Sequence, residues 1–275
     1  MGVDSEPSAG QHALRVHVLA SGSKGNACVI ENAATGEGIL IDCGICKRDF
    51  LARCEEAGFD PARLSAILVT HDHTDHTKGL GVVLRALAKQ GIHLPLYVSP
   101  AVVAASRDVQ AVEDLVEIRP LAAEDQVSAG GMQAFAFRTS HDAAESFGFR
   151  VWDGDDAIGY MTDTGIVTGA AHEALGGVRL LALEANHDVR MLETGPYPAA
   201  LKRRVASDLG HLSNDQAATE LERLISDRLE TVCAMHISEN NNTYRLAQDA
   251  LHAVVDRSGA QTTVTCGFQH RLTSL

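Results

Sequence analysis

His71-Asp72-His73-Thr74-Asp75-His76 places three imidazoles and two carboxylates within six residues, directly behind the apolar run Ala66-Ile67-Leu68-Val69-Thr70. A packed core has no use for such a cluster, and a solvated loop seldom follows so apolar a segment. Imidazole nitrogens and carboxylate oxygens are the usual ligands of zinc and related divalent ions. In extended chain, side chains two apart share a face, so His71 and His73 can meet one ion. Asp75 and His76 lie beyond a turn and can face a second ion. Asp72 points away from the His71–His73 face and reads as a supporting carboxylate.

The rest of the chain limits what surrounds this loop. Its 275 residues suffice for a sizeable core. Apolar content of 45% and charged content of 21% are those of a globular protein. Aromatics at 4% argue against an exposed base-stacking platform, and a net charge of −13 argues against a broad basic surface. A nuclease remains compatible, because bound dications supply positive charge locally. Residues 1–13 carry no secretory pattern and read as a flexible tail. No apolar run approaches the ~18 residues of a membrane span. Six cysteines occur, Cys28, Cys43, Cys46, Cys54, Cys233 and Cys266. The lone C-x-x-C of Cys43 and Cys46 reads as buried or half-buried free thiols rather than a redox pair. A soluble, cytoplasmic protein is expected.

Apolar alternation and turn residues predict strands at 14–20, 27–31, 38–42, 65–70, 96–99, 116–119, 132–138, 146–152, 157–161, 180–184, 231–235 and, as the last element, 262–266. Helices are predicted at 49–58, 79–90, 100–106, 198–206, 214–226 and 243–256. No linker divides residues 14–275, so one domain of layered sheet and helix is expected.

Two neighbouring cations need more ligands than one hexapeptide holds. Candidates stand at the ends of later strands: His141 after Phe137-Arg138-Thr139-Ser140, Asp163 within Thr162-Asp163-Thr164-Gly165, and His236 after Val232-Cys233-Ala234-Met235. Taken alone, His141 is equally a surface histidine, Asp163 a turn former and His236 a buried strand-end histidine. His12, His17, His93, His172, His252 and His270 lack ligand spacing. Ser21-Gly22-Ser23-Lys24-Gly25 has neither Walker nor dinucleotide spacing, so no nucleotide cofactor is expected.

In this order the motifs resemble the metallo-β-lactamase superfamily, over about residues 14 to 270. More finely they resemble its nuclease-type YycJ/WalJ-like branch. The strings that carry this are Leu19-Ala20-Ser21-Gly22-Ser23-Lys24-Gly25-Asn26, Leu40-Ile41-Asp42-Cys43-Gly44, Glu184-Ala185-Asn186-His187-Asp188, Gly195-Pro196-Tyr197-Pro198, Gly210-His211-Leu212-Ser213-Asn214 and His236-Ile237-Ser238-Glu239-Asn240-Asn241. The resemblance implies a four-layer αββα sandwich of the α+β class with two divalent ions, Zn²⁺ or Mn²⁺, with Fe²⁺ also suitable. One ion would take His71, His73 and His141, the other Asp75, His76 and His236, with Asp163 bridging. Asp42 would buttress the metal loop. His211 would face the scissile phosphate, and Ser213 and Asn214 would cap the following helix. His187 would orient a ligand or simply pack. Asn240, Asn241 and Asn242 bind phosphate oxygens or form a polar turn. Lys202, Arg203 and Arg204 read as a solvated helix face.

The expected activity is phosphodiester hydrolysis by an ion-activated water, with DNA as the substrate implied by the resemblance, attacked as by an exonuclease. Asp75 would orient the water and His211 assist the leaving oxygen. Residues alone stop at a phosphoester, thioester or lactam hydrolase. The alternatives are a small-molecule hydrolase, such as a thioesterase or cyclic phosphodiesterase, and a metal-stabilised regulatory protein without turnover.

Overall fold

The computed structural model describes residues 12–275. Residues 1–11 of the expected tail lie outside the described residues. Ala13 is already tied to the fold, its carbonyl accepting from Ala33 N at 2.8 Å.

The first half runs β1 (Leu14–Ala20), β2 (Ala27–Asn32), β3 (Gly38–Ile41), α1 (Lys47–Ala57), β4 (Leu64–Leu68), α2 (Thr74–Thr77), α3 (Leu80–Ala88), β5 (Pro95–Val98), α4 (Pro100–Ala105), α5 (Arg107–Gln110) and β6 (Glu117–Pro120). The second half runs β7 (Gln126–Ala129), β8 (Met132–Arg138), β9 (Phe147–Asp153), β10 (Asp156–Met161), α6 (Gly169–Leu175), β11 (Leu180–Glu184), α7 (Val189–Thr194), α8 (Ala199–Val205), α9 (Asn214–Leu224), β12 (Thr231–Met235), α10 (Tyr244–Ser258), β13 (Thr263–Cys266) and β14 (Thr273–Ser274). The expectation that 262–266 ends the structure fails. β14 follows it and pairs antiparallel with β1, His17 opposite Ser274.

Two seven-stranded sheets result, ordered β14-β1-β2-β3-β4-β5-β6 and β13-β12-β11-β10-β9-β8-β7. In each, one stretch is antiparallel and the other parallel, the change falling at β3 in the first sheet and β10 in the second. The strand alternation explains the layering. Ile39 and Ile41 point between the sheets, where they join Ile158 and Tyr160. Leu40 points outward to Phe50, Val83 and Leu87 of α1 and α3. Met161 points outward on the other side, toward Leu175, Leu221 and Leu251 of α6, α9 and α10. Each such large side chain, removed from water, contributes roughly 1.5–3 kcal/mol. The architecture is the expected αββα sandwich.

The helices follow local rules. Leu80, Val83, Leu84 and Leu87 bury one face of α3. Ser213 and Gln216 form a capping box on α9. Thr243 caps α10, and Gly259 ends it in the left-handed region at φ 72°. Among the described residues no helix is long and apolar enough to cross a membrane.

Candidate metal centre

The carboxyl ends of β3, β4, β8, β10, β11 and β12 deliver, in order, Asp42, the hexapeptide, His141, Asp163, Glu184 and His236. The structure brings all seven sequence-predicted ligands together. Ligand atoms of His71, His73 and His141 lie within 4.8 Å of one another, as do those of Asp75, His76 and His236, and those of His71, His76 and Asp163. Asp163 stands between the groups. Its Oδ2 is 3.3 Å from His76 Nε2, and its Oδ1 is 3.6 Å from His236 Nε2 and 3.7 Å from His141 Nε2.

The backbone is bent to achieve this. Asp42, Asp163 and His236 have φ of 58°, 56° and 52°. Left-handed conformations are uncommon outside glycine and cost on the order of 1–2 kcal/mol each. At these strand ends they turn a side chain across the sheet edge instead of onto a sheet face. Gly44 supplies the close approach behind the loop: a Cβ there would sit 1.6 Å from the Asp75 carbonyl oxygen.

Hydrogen bonds assign the imidazole protons. Thr70 Oγ1 donates to Asp42 Oδ2 at 2.8 Å, so at 2.9 Å it accepts from His71 Nδ1. His76 Nδ1 donates to Asp42 Oδ2 at 2.7 Å and His141 Nδ1 to the Gly210 carbonyl at 3.0 Å, while His236 Nδ1 lies between Asn186 Nδ2 at 3.2 Å and Glu184 Oε1 at 3.3 Å. The rings of His71, His76 and His141 thereby turn an Nε2 lone pair inward. This is how second partners orient metal-binding histidines. Asn26 Nδ2 reaches the His76 lone pair at 2.9 Å. His71 Nε2, His236 Nε2 and Asp163 Oδ2 are buried without any hydrogen-bond partner. Such orphaned buried atoms are rare and costly, and a divalent ion would satisfy all three.

The electrostatics agree. Burial would lower the His236 pKa, but Asp163, Asp75 and Glu184 raise it to about 10. His76 is likewise buried, yet Asp163, Asp42 and Asp75 hold it well above its usual value. Burial would raise Asp75, but His76 and His236 bring it down to about 2. Carboxylates that draw protons onto two imidazoles would equally draw a divalent cation, which releases those protons on binding.

Glu184 was missed in the sequence. It is fully buried at the end of an otherwise apolar strand, and a lone acid at the end of such a strand was the available signal. Its Oε1 accepts from His211 Nδ1 at 2.7 Å, and its Oε2 accepts from Thr164 N at 2.9 Å. Burial would push it up, but His211 and His236 hold it at about 2. Ser21 was also missed; its Oγ accepts from His236 N at 2.7 Å and ties the two sheets at this edge.

Other expectations divide. Asp72 turns away and accepts from Ala144 N at 2.8 Å. His211 lies in the cleft wall, stacked on His236 at 5.1 Å. Ser213 caps α9, but Asn214 does not, since its side chain pairs with that of Asn242 at 2.8 and 3.0 Å. This leaves Asn242 a structural role, whereas Asn240 reaches Tyr197 at the surface. His187 joins none of the ligand-spaced groups among the described residues, and burial lowers it to about 4. Arg204 departs from the solvated-face reading: it pairs with Asp142 and lines the cleft, because α8 crosses the mouth. All six cysteines are free, with Cys46 exposed rather than buried.

The cleft over these groups encloses about 210 Å³, and its walls include His73, Asp75, Asp163, His211, His236 and Arg204.

Sandwich, strand-end ligand loops and orphaned lone pairs together define a class, and a sequence profile described as "Beta-lactamase superfamily domain" matches residues 38–237. The chain belongs to the metallo-β-lactamase superfamily, whose fold and His/Asp clusters imply divalent-metal binding. Within it, the chain is 33% identical over 252 residues to the exodeoxyribonuclease YycJ of Bacillus anthracis, covering 90% of each. It is 32% identical over 242 residues to the exodeoxyribonuclease WalJ of Streptococcus pneumoniae serotype 2, covering 85% of each. The crystal structure of the metallo-β-lactamase fold protein YhfI from Bacillus subtilis superposes with a TM-score of 0.70 at 16% identity, over 95% of this chain and 99% of that one.

Proposed function

We propose that the protein is a metal-dependent phosphodiesterase acting on DNA as an exonuclease. It would hold one divalent ion with His71, His73 and His141, a second with Asp75, His76 and His236, and both with Asp163. The observation that carries the reading is the cleft itself. At about 210 Å³ it is smaller than the roughly 300–1,000 Å³ of a small-ligand site. It suits one reacting group of a substrate whose remainder lies outside, which favours a polymer over a thioester or cyclic nucleotide. The names of the YycJ and WalJ relatives support DNA as that polymer.

When bound, divalent ions supply Lewis acidity and a water activated near neutral pH. Zn²⁺, Mn²⁺ and Fe²⁺ all suit this mixed nitrogen and oxygen donor set. The chain's own residues do the rest. Asp75, a carboxylate facing the cleft, accepts a hydrogen bond from the attacking water and orients it. His211 donates from Nδ1 to Glu184 at 2.7 Å; in the imidazolium form that this carboxylate supports, its Nε2–H contacts the phosphate and passes its proton to the leaving oxygen, leaving the neutral ring with its Nδ1 proton on Glu184. Arg204 provides the cation at the rim. Six free thiols fit a reducing compartment, and the proposed location is the cytoplasm.

The test is incubation with end-labelled DNA after stripping and reloading with Mn²⁺ or Zn²⁺. Release of mononucleotides that depends on added metal is the expected result. Turnover of thioesters or cyclic nucleotides with DNA left intact would refute the reading.

A further inference from the structure

Away from the metal cleft, a second depression of about 750 Å³ lies between the start of α1 and the exposed side of α3. Its charged lining is entirely cationic: Lys47, Arg48, Arg85 and Lys89. In a protein of net charge −13 this local excess stands out. Arg48 pairs with its neighbour Asp49 at 3.0 Å. Lys47, Arg85 and Lys89 have no carboxylate partner among the described residues, and all three are exposed. Between the cations the floor is apolar, formed in part by Val82, which is 43% exposed, and Leu115.

The α1 end of the groove is joined to the metal loop by a short stretch of chain. Gly44 packs directly on the Asp75 backbone, and Lys47 is only three residues further on, a span of at most about 11 Å. Gly79, at the head of α3, donates its N–H to the Cys43 carbonyl at 2.8 Å, so α3 departs from the same point. From Val82 to Lys89 the helix rises about 10 Å. The exposed Lys78 donates to the Lys24 carbonyl at 2.8 Å, next to Ser23, which lines the metal cleft. Exposed cations thus stand both at Lys78, tied to the residue beside the cleft-lining Ser23, and along the groove at Lys47, Arg48, Arg85 and Lys89.

We infer that this groove is a track for single-stranded nucleic acid, holding the phosphates of the strand whose end occupies the metal cleft. The assignment rests on the phosphodiesterase reading. It explains how a cleft too small for a nucleotide chain can still retain one. With no aromatic side chain in the lining, the track lacks stacking platforms. Its grip is ionic and steeply salt-dependent.

The test uses metal-stripped full-length protein, so that binding is read without cleavage. Anisotropy of a labelled deoxythymidine strand of about 20 nucleotides, longer than a single-fold site of ~4–16, is followed across salt concentration. The K47E/R85E/K89E variant should weaken binding at least about tenfold and flatten the log–log salt slope by about 2, near 0.7 per lost phosphate contact. Reversal of three exposed cations on α9 and α10, Arg223, Arg245 and Arg257, should do much less. The metal-loaded groove variant should hydrolyse bis(p-nitrophenyl) phosphate like the parent. Unchanged strand binding, or equal loss in the α9/α10 variant, would overturn the track. Groove-dependent binding in a metal-loaded parent that cleaves neither DNA nor the small diester would uphold the track and refute the catalytic reading instead.

Discussion

Replacing Asp42 by asparagine should weaken metal binding without touching a proposed ligand. Asp42 is fully buried, and its carboxylate accepts from Thr70 N, Thr70 Oγ1 and His76 Nδ1 at 2.8, 2.8 and 2.7 Å. Asparagine matches its size and tolerates the left-handed backbone at φ 58°. Its oxygen can still accept from Thr70 N. Its amide nitrogen then faces His76 Nδ1 and can only donate. The His76 proton must move to Nε2, where it points at the site and blocks the lone pair. A charge-assisted hydrogen bond of this kind contributes about 1.5–3 kcal/mol. Loss of an orienting partner costs ~10–100-fold in metal affinity, which is about 1.4–2.7 kcal/mol, so two independent routes give the same size. The assay is competition for Zn²⁺ or Mn²⁺ against a chromophoric chelator, with urea unfolding of the metal-free variant showing that it remains folded. A folded D42N protein that binds metal as tightly as the parent would show that the Asp42–His76 pair does not set ligand geometry.

Gly44→Ala should destabilise the chain by about 3 kcal/mol, the upper range for overpacking, because its Cβ would meet backbone at 1.6 Å; an unchanged urea midpoint would contradict this. Stripping the metal should lower the melting temperature by roughly 5–10 °C, since an ion at about 100 times its Kd adds ~2.7 kcal/mol and each kcal/mol moves a domain of this size by ~2–4 °C; an unchanged melt after verified stripping would argue against a bound ion that matters to folding. A thiol reagent should modify one cysteine in the native protein, the exposed Cys46, and six in urea; burial pushes the Cys54 and Cys266 thiols up to about 12. Rapid labelling of several thiols in the native state would contradict their burial.

The strands and the ligand hexapeptide were legible because both rest on short-range pattern, whereas the αββα arrangement and the places of His141, Asp163 and His236 in the cluster were legible only through the family resemblance. Alternation at Ile39-Leu40-Ile41 separates the inter-sheet core from the helix-facing one. His71 and His73 share a face by the same period of two. What escaped depends on distant chain. β14 is two polar residues, visible only through its pairing with β1. α7 is six residues long, too short for a helical period to declare itself. The cationic run containing Arg204 carries the composition of a solvent face, and only the path of α8 over the cleft gives it another use. Glu184 closes a buried strand like any terminal acid, until the loop between α8 and α9 and the end of β12 bring His211 and His236 onto it.

The donor atoms divide unequally across the interior boundary of the sandwich. His71, His73, Asp75 and His76 hang from the first sheet, while His141, Asp163 and His236 hang from the second. Any ion gripped by both sets would rivet the two halves at this rim, whereas the opposite rim is pinned by the protein itself, Leu14 N and Asn32 Nδ2 of the first sheet donating to Asp156 and Asp153 of the second at 3.0 and 2.9 Å. Removing the rivet would let the sandwich gape first at that fastened edge, where the substrate enters, so the availability of metal would govern the mouth's width as well as its chemistry.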